Sequence, residues 1–376
     1  MNSEILIIGG GVIGLSLARA LHKKGAKNIT ILEKGLVGKE ASFAAAGMIA
    51  PQAEANRADD FFQFCVDSKN LYPELAVALL DETGVDIELD QSGTLYAAFD
   101  SHDSAEIRER FKWQSAAGLD VEHLSAQETH KLEPFISPDS IESLFFPNDW
   151  QVENRRLLRA FEKYAEKNDI EIVENAEVQS LVVERGKIKG VKLAEKVISA
   201  DLVILAAGAW TSQINLNGEK KPLTEIKPIR GEMILFQTAK RLFHRVIYSP
   251  RGYIVPRKLG RILAGATVED VGFDAVSSKE GIEAVKDTTF EIAPSLAGLS
   301  VEESWSGFRP CSADGLPIIG EVPACENLFV ATAHYRNGIL LAPMTAKILA
   351  DKILDGKESD YLKLYSPKRF QAASST

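Results

Sequence analysis

The chain has 376 residues, of which 45% are hydrophobic and 26% are charged, so a full globular core is available. This length predicts two closely packed domains rather than one simple core. A net charge of −10, without any block of Lys or Arg, argues against nucleic acid as a partner. The widely spaced cysteines Cys65, Cys311 and Cys325 predict neither a disulfide framework nor a metal site.

The amino-terminal region shows no targeting signal. A strand predicted from residue 4 leaves no room for a signal peptide. No apolar stretch of the sequence reaches the ~18 residues that a membrane span needs, so no membrane span is expected. The expected compartment is therefore the cytoplasm.

An apolar strand, a glycine-rich turn and a helix start follow one another within residues 5–15. Gly9, Gly11 and Gly14 have G-x-G-x-x-G spacing, which allows a tight turn, close approach of a pyrophosphate, and packing of the helix on the strand. Glu33 ends the next strand, where its carboxylate can bind ribose hydroxyls and would repel a 2′-phosphate. The combination predicts a dinucleotide site. A glycine-rich turn in an ordinary βαβ unit is the alternative.

Hydrophobic periodicity predicts further elements along the chain. Helices are expected over 12–24, 59–83, 103–117, 125–133, 154–168 and 339–354. Strands are expected over 4–8, 29–33, 85–100 with a turn at Ser92-Gly93, 170–174, 177–184, 188–194, from 200 to the small residues Ala206-Ala207-Gly208, and 328–333. Dense strand signals across 226–270 predict a large, mostly antiparallel sheet.

The order of these elements predicts an α/β fold with a discontinuous nucleotide domain, because the last strand and helix repeat the pattern of the first. We expect a Rossmann-like domain built from 1–84, 150–222 and 300–376. A second, α+β domain with the antiparallel sheet is expected from 85–149 and 223–299, and this domain would bind the substrate.

Arginines in apolar, glycine-rich surroundings are the strongest chemical signal outside the glycine motif. A buried arginine is costly without an anionic partner. For Arg230 we expect an internal salt bridge, with Glu232 or Asp314 as the partner. For Arg309 we expect a ligand carboxylate, because guanidinium binds carboxylate as a two-point fork. The six histidines form no evident acid–base cluster of the kind that NAD dehydrogenases usually show.

Many short motifs, in order along the whole chain, resemble the D-amino-acid-oxidase-type FAD oxidoreductases. Two of them, the Ala-Ala-Ala-Gly-Met run and the Arg-Asn-Gly-Ile-Leu-Leu-Ala-Pro run, point within this family to the bacterial glycine oxidases associated with thiamine synthesis. The motifs are Gly9–Gly14, Glu33-Lys34, Ala44–Pro51, Ala206–Trp210, Pro228–Glu232, Tyr253–Arg257, Gly265–Thr267, Gly307–Pro310 and His334–Pro343.

The resemblance implies a non-covalently bound FAD. Its ADP half would lie on Gly9, Gly11, Val12, Ile13, Gly14, Glu33 and Lys34, with Val178 at the adenine and Gly208 near the pyrophosphate. Its ring system would lie against Ala41, Ser42, Ala46, Gly47 and Met48 on one side and against His334, Tyr335, Arg336, Asn337, Gly338, Ile339 and Leu340 on another.

The resemblance also implies the chemistry. Arg309 would hold the substrate carboxylate, Tyr253 would add a hydroxyl, Arg336 would line the pocket, and Met48 would face the substrate. Glycine, sarcosine or a small D-amino acid would lose a hydride to flavin N5, and O2 would reoxidise the flavin to give hydrogen peroxide. No side-chain base is then needed. A homotetramer is expected.

Two positions depart from the resemblance. Arg251 precedes Gly252-Tyr253 where a histidine is expected, and Val268 stands where a methionine is expected. Either difference can alter the substrate size preference. Apart from these positions, a relative of sarcosine oxidase or of D-amino-acid dehydrogenase is an alternative, as is a covalent flavin on Cys311. An alternative of another class is a non-catalytic FAD- or NAD-binding protein.

Overall fold

A computed structural model gives the fold and describes residues 2–218, 224–323 and 325–370. Its helices are α1 (Val12–Lys23), α2 (Ala41–Ala44), α3 (Pro51–Glu54), α4 (Asp60–Lys69), α5 (Tyr72–Thr83), α6 (Ser101–Ala116), α7 (Ala126–Leu132), α8 (Asn154–Lys167), α9 (Lys279–Ile292), α10 (Gly338–Asp355) and α11 (Asp360–Leu364). Its strands are β1 (Asn2–Ile8), β2 (Ile29–Leu32), β3 (Met48–Ile49), β4 (Thr94–Ala98), β5 (Glu122–Ser125), β6 (Glu142–Phe146), β7 (Trp150–Gln151), β8 (Glu171–Val173), β9 (Ser180–Glu184), β10 (Lys187–Lys192), β11 (Val197–Leu205), β12 (Asn215–Leu216), β13 (Lys227–Gln237), β14 (Val246–Ser249), β15 (Gly252–Pro256), β16 (Arg261–Gly265), β17 (Glu303–Cys311), β18 (Ile318–Glu321) and β19 (Leu328–Thr332).

The first sheet has nine strands in the described part of the chain and carries the glycine motif. Its order is β12-β9-β10-β11-β1-β2-β8, and β19 joins β11 and pairs with β18. Strands β1, β2, β8, β11 and β19 run parallel. Ile5 and Ile7 pack in the core with α1, α8 and α10, whereas Leu6 and Ile8 pack in a second core. Burial on both faces explains why β1 is a continuous apolar run.

The second sheet has eight described strands, in the order β17-β13-β16-β15-β14-β4-β6-β5. All neighbours are antiparallel except β14 and β4, as the strand signals across 226–270 predict. β17 pairs with β13 from Glu303 to Cys311, so the segment that starts at 300 enters this sheet before it returns to the first. The predicted boundary at 222/223 lies outside the described residues.

Two elements differ from those that the periodicity predicts. The expected helix over 59–83 is two helices, α4 and α5, because Pro73 in the first turn of α5 cannot continue a helix from α4. The expected strand over 85–100 is reduced to β4. The carboxylates of Asp86 and Asp90 accept hydrogen bonds from the backbone N–H groups two residues on and form turns before it.

α9 and β17 lie in segments to which periodicity assigned no element. The Ser278 side chain accepts from Gly281 N and begins α9, a capping signal that the pattern contained. β17 alternates poorly because it includes Ser304, Ser306, Gly307 and Arg309. None of the helices in the described ranges is long and apolar enough to cross a membrane.

Candidate active site

The glycine turn at the end of β1 has the geometry that its spacing predicts. Gly9 has φ 110°, a conformation that favours glycine, and its N–H donates to Leu32 O at 2.8 Å. A Cβ on Gly14 would clash with Gly9 O, so this glycine serves the packing of α1 on the turn. α1 begins at Val12 without a side-chain cap at Gly11. Val12 N donates to Ser42 Oγ at 3.0 Å, and the positive end of the helix lies at the cavity that Gly11 and Val12 line, where it favours an anion.

Gly14→Ala is expected to cost about 2 kcal/mol in the free energy of unfolding, because the added methyl group must displace a backbone carbonyl. Chemical denaturation measures this cost. Gly298→Ala is the matched control, since a Cβ there meets nothing within 4 Å. Equal unfolding free energies for the two variants would contradict the packing role.

Glu33 fixes the turn with both carboxylate oxygens. Oε2 accepts from Gly10 N at 2.8 Å, and Oε1 accepts from Gly35 N at 3.0 Å. The side chain is buried and lines the same cavity as Gly9. Lys34 beside it lies 3.6 Å from the centre of the Trp210 ring, and both residues line the cavity. The two predicted ADP-binding residues therefore flank the glycine turn.

A cavity of about 580 Å3 runs from the glycine turn to the second sheet. Every predicted site residue lines it except Gly14, which lies within α1 against the Gly9 carbonyl, and Leu340, which is buried in the core. The cavity thus joins the glycine motif, the segment 41–48, the turn 334–339 and the arginine on β17. Cys311 does not line it, and its Sγ donates to Ser312 O at 3.4 Å.

The small-residue segment 41–48 is held by a buried arginine that the sequence reading did not single out. Arg257 Nη2 donates to Ala46 O at 2.6 Å, and its Nη1 donates to Gln151 Oε1 at 2.9 Å and Val152 O at 2.6 Å. Gly47 has φ 70°, and a Cβ there would clash with Val152 O and with the guanidinium. Burial lowers the pKa of Arg257 to about 10, so it stays charged near pH 7.

Arg230 and Arg309 lie on paired strands but have different partners. Arg230 Nε bonds Glu269 at 2.7 Å, and its guanidinium lies 3.5 Å from Asp274 and 3.7 Å from Glu232. The predicted partner Glu232 is therefore present. The other candidate, Asp314, pairs instead with Arg369 at 2.7 Å.

Arg309 has no ion pair with a carboxylate of the described residues. Its Nη1 donates to Thr267 O at 3.0 Å and Arg230 O at 3.3 Å, both backbone carbonyls. The guanidinium occupies the space that a Cβ on Gly231 would fill, which explains the glycine opposite it on β13. Arg309 is half-buried and lines the cavity, so it presents a positive charge that a ligand anion can neutralise.

Aromatic side chains form the wall beside Arg309. Tyr253 is opposite Tyr248 in the β14–β15 hairpin, with ring centres 5.9 Å apart, and Tyr248 stacks on Tyr96 at 5.3 Å. Burial raises the pKa of Tyr253, and the positive charge of Arg309 opposes this rise. Met48 is partly buried and packs against the same two apolar clusters as Tyr248 and Tyr253, and all three residues line the cavity. Both phenols remain protonated near pH 7 and can donate to an anion.

The β14–β15 hairpin contributes one cavity residue that the sequence did not predict and one that departs from the family resemblance. Tyr248, which the sequence reading missed, lines the cavity because β14 places it opposite Tyr253. Arg251 lines the cavity edge, but its guanidinium pairs with Asp100, with Asp103 at 3.2 Å and with Glu291 at 2.9 Å. These acids account for arginine at a position where the family resemblance predicts histidine.

The turn between β19 and α10 forms the opposite wall. His334 is buried, bonds Thr345 Oγ1 at 3.0 Å, and has a pKa lowered to about 3 by burial, so it is neutral and a poor base near pH 7. Ala333 and Tyr335 on either side have φ of 59° and 48°, a left-handed backbone conformation that residues other than glycine rarely adopt. Arg336 Nη2 lies 3.4 Å from Glu54, and this carboxylate raises the pKa of Arg336.

The family model described as FAD dependent oxidoreductase matches residues 4–352. The chain belongs to this family. It is 32% identical to glycine oxidase of Bacillus subtilis over 375 residues, covering 98% of each chain. It is also 35% identical to the bifunctional protein ThiO/ThiG of Trichormus variabilis, covering 100% of this chain and 56% of that protein. The chain thus spans about half the length of the bifunctional relatives that it matches.

The crystal structure of glycine oxidase from Geobacillus kaustophilus superposes with a TM-score of 0.90, at 30% identity, over 97% of this chain and 98% of that one. The predicted family, the mixed α/β fold and FAD as the cofactor are therefore confirmed. The residues present fit FAD. The start of α1 at Gly11 and Val12 lines the cavity and suits a pyrophosphate, and the cavity continues from there to Arg309 and Met48.

Proposed function

We propose that this protein oxidises glycine and other small amines, such as sarcosine and small D-amino acids, to the corresponding 2-oxo acid, with release of ammonia from the primary amines and of methylamine from sarcosine. The observation that carries the proposal is Arg309, a half-buried cation in the cavity that no carboxylate of the described residues neutralises. Arg230 on the paired strand shows the contrast, because its partners are internal acids. Similarity to glycine oxidases over nearly the whole chain supports the same substrate class.

Each pocket residue has a distinct part in this proposal. The Arg309 fork binds the substrate carboxylate, and the Tyr253 hydroxyl donates to the same group. Met48 and Tyr248 supply an apolar wall that excludes water and orients the α carbon. His334, neutral and weakly basic, is not required as a base. Bound FAD supplies the hydride acceptor, and its reoxidation by O2 gives hydrogen peroxide.

The start of α10 supports the same chemistry. This helix begins at Gly338 in the cavity wall, and its positive end favours negative charge in front of it. The start of α10 would therefore stabilise the negative charge that FAD would take up as the hydride acceptor. The position of Cys311 outside the cavity supports a non-covalent cofactor.

The purified protein is expected to be yellow, to release FAD on acid precipitation, and to form peroxide with glycine, sarcosine or D-alanine. Peroxide release coupled to a peroxidase dye, with each amine in turn, measures this activity. Benzylamine, which has no carboxylate for Arg309, is the matched negative substrate. A yellow protein that any of the three amino acids reduces under anaerobic conditions but that forms no peroxide would indicate a dehydrogenase with another acceptor. A protein that none of them reduces would contradict the proposal.

A further inference from the structure

The one-turn helix α3 carries a charged residue to the cavity wall. Glu54, its last residue, lines the cavity and lies 3.4 Å from Arg336. A helix of four residues has no stability of its own, since even a single turn costs more conformational entropy than its hydrogen bonds return. The position of Glu54 must therefore come from contacts that the rest of the chain makes with α3.

A buried carboxylate holds the amino end of α3. Asp149 is fully buried, and its Oδ1 accepts from Gln52 N at 3.1 Å while its Oδ2 accepts from Ala53 N at 2.8 Å. These are N–H groups that a short helix cannot satisfy internally. Burial raises the pKa of Asp149 to about 7, so near that pH its two hydrogen bonds, more than a full negative charge, hold this end of α3. Asp149 immediately precedes β7, which pairs with β3, so the same segment aligns Met48.

A buried guanidinium holds the carboxyl end. Arg110 of α6 donates from Nη1 to Ala53 O at 3.2 Å, to Gln52 O at 3.4 Å and to Ala55 O. Its other nitrogen pairs with Glu106 at 3.2 Å, so the arginine is itself fixed. A positive charge here matches the negative end of the helix. α3 is thus held by the carboxyl group of Asp149 at its amino end and by the guanidinium of Arg110 at its carboxyl end.

The wall formed by Glu54 and Arg336 separates two spaces. A second cavity of about 220 Å3 shares Glu54, Tyr248, Pro250 and Arg336 with the main cavity. The Arg336 side chain is 40% exposed and the Glu54 side chain only 12%, so the acid is the fixed partner of the pair. Without that acid, the long arginine gains rotamers toward solvent and the wall opens.

We propose that Asp149 and Arg110 are positioning residues that hold Glu54 against Arg336, and that this wall limits the size of the carboxylate that the main cavity admits. The inference rests on the proposed function, because Arg309 must bind a carboxylate for the limit to act. Asp149 and Arg110 do not line the main cavity, so neither would contact substrate or cofactor there. Their effect passes through the backbone of α3.

The test is the ratio of two dissociation constants, measured on the FAD-loaded protein by the change in flavin absorption as acetate or benzoate is added. Wild type is expected to prefer acetate. Asp149→Asn and Glu54→Gln are each expected to lower the preference roughly fivefold, and the double variant no further, because both changes remove the same wall. Arg110→Lys, which retains charge but has fewer donors, is expected to act in the same direction.

Glu133→Gln is the matched control. Glu133 is also a fully buried carboxylate that accepts from a backbone N–H, that of His244, but it lines neither cavity. It is expected to lower the melting temperature and to leave the ratio unchanged. A general loss of folded protein cannot change a ratio of constants, and Glu54→Gln tests the wall even if Asp149→Asn does not fold.

An unchanged ratio in Glu54→Gln, or in a folded Asp149→Asn protein, would overturn the positioning role. A wild-type flavin spectrum that responds to neither carboxylate would overturn it together with the carboxylate site. Failure of the proposed function is distinguishable from this result. In that case no amine reduces the flavin of the wild-type protein, while the ratio of the acetate and benzoate dissociation constants can still be measured.

Discussion

Replacing Arg309 with lysine is expected to raise the apparent KM for glycine about 100-fold, which corresponds to about 2.7 kcal/mol of lost binding. Lysine keeps the positive charge but replaces a planar two-point fork with a single ammonium group. The guanidinium fits the space opposite Gly231 and is held by two backbone carbonyls, an arrangement that the shorter reach of an ammonium cannot reproduce. Because carboxylate binding persists into the reaction, kcat is expected to fall less than KM rises.

Steady-state peroxide release over a range of glycine concentrations measures this effect, and the flavin absorption shows whether FAD is retained. Arg369→Lys is the matched control, since Arg369 also forks a carboxylate, that of Asp314, but lies outside the cavity. Its KM is expected to equal that of wild type. Unchanged kinetics for Arg309→Lys would remove Arg309 from the carboxylate role.

Arg257→Met is expected to lower the free energy of unfolding by about 4 kcal/mol and to weaken FAD binding. Methionine fills part of the volume but donates no hydrogen bond. The carbonyls of Ala46 and Val152 and the side-chain oxygen of Gln151 would then be buried without their present donor. Since Ala46 and Gly47 line the cavity, the loss acts on the cofactor segment as well as on stability.

Urea unfolding and the dissociation constant for FAD, read from protein fluorescence, measure the two effects. Arg159→Met is the matched control, because Arg159 also contacts side chains, those of Glu162 and Glu166, but is 50% exposed and lies outside the cavity. Exposed ion pairs contribute little, so a change below about 1 kcal/mol is expected there. Equal losses of unfolding free energy in the two variants would show that the contribution of Arg257 to stability does not depend on its burial.

The sequence predicted the elements whose pattern is strong over a long range. β1, α1, β11, β19 and α10 follow apolar periodicity closely, and the glycine turn has the geometry that G-x-G-x-x-G spacing predicts. The helix over 59–83 was wrong in its length because the apolar pattern continues across Pro73. β17 was missed because few of its residues are buried in a core. Ser304 is exposed, and Gly307 and Arg309 line the cavity, so apolar alternation carries little signal.

Among the candidate site residues, the sequence indicates most clearly those whose chemistry is unusual in its surroundings. An arginine among glycines indicated Arg309, and the structure places it in the cavity next to Tyr253. Asp149, Arg110 and Arg257 could not be found in this way. Each acts on backbone groups brought near by the fold, and a residue that binds a distant backbone has no local sequence signature.

The left-handed backbone at Ala333 and Tyr335 has a consequence for how this enzyme could be improved. Each such residue costs on the order of 1 kcal/mol that glycine would avoid. Ala333 is fully buried in the core, and Tyr335 forms part of the cavity wall, so each side chain makes contacts that glycine would lose. Selection for thermal stability alone would favour glycine at these two positions. The protein would then be more stable, but the cavity wall would lose its shape and the protein would be less selective.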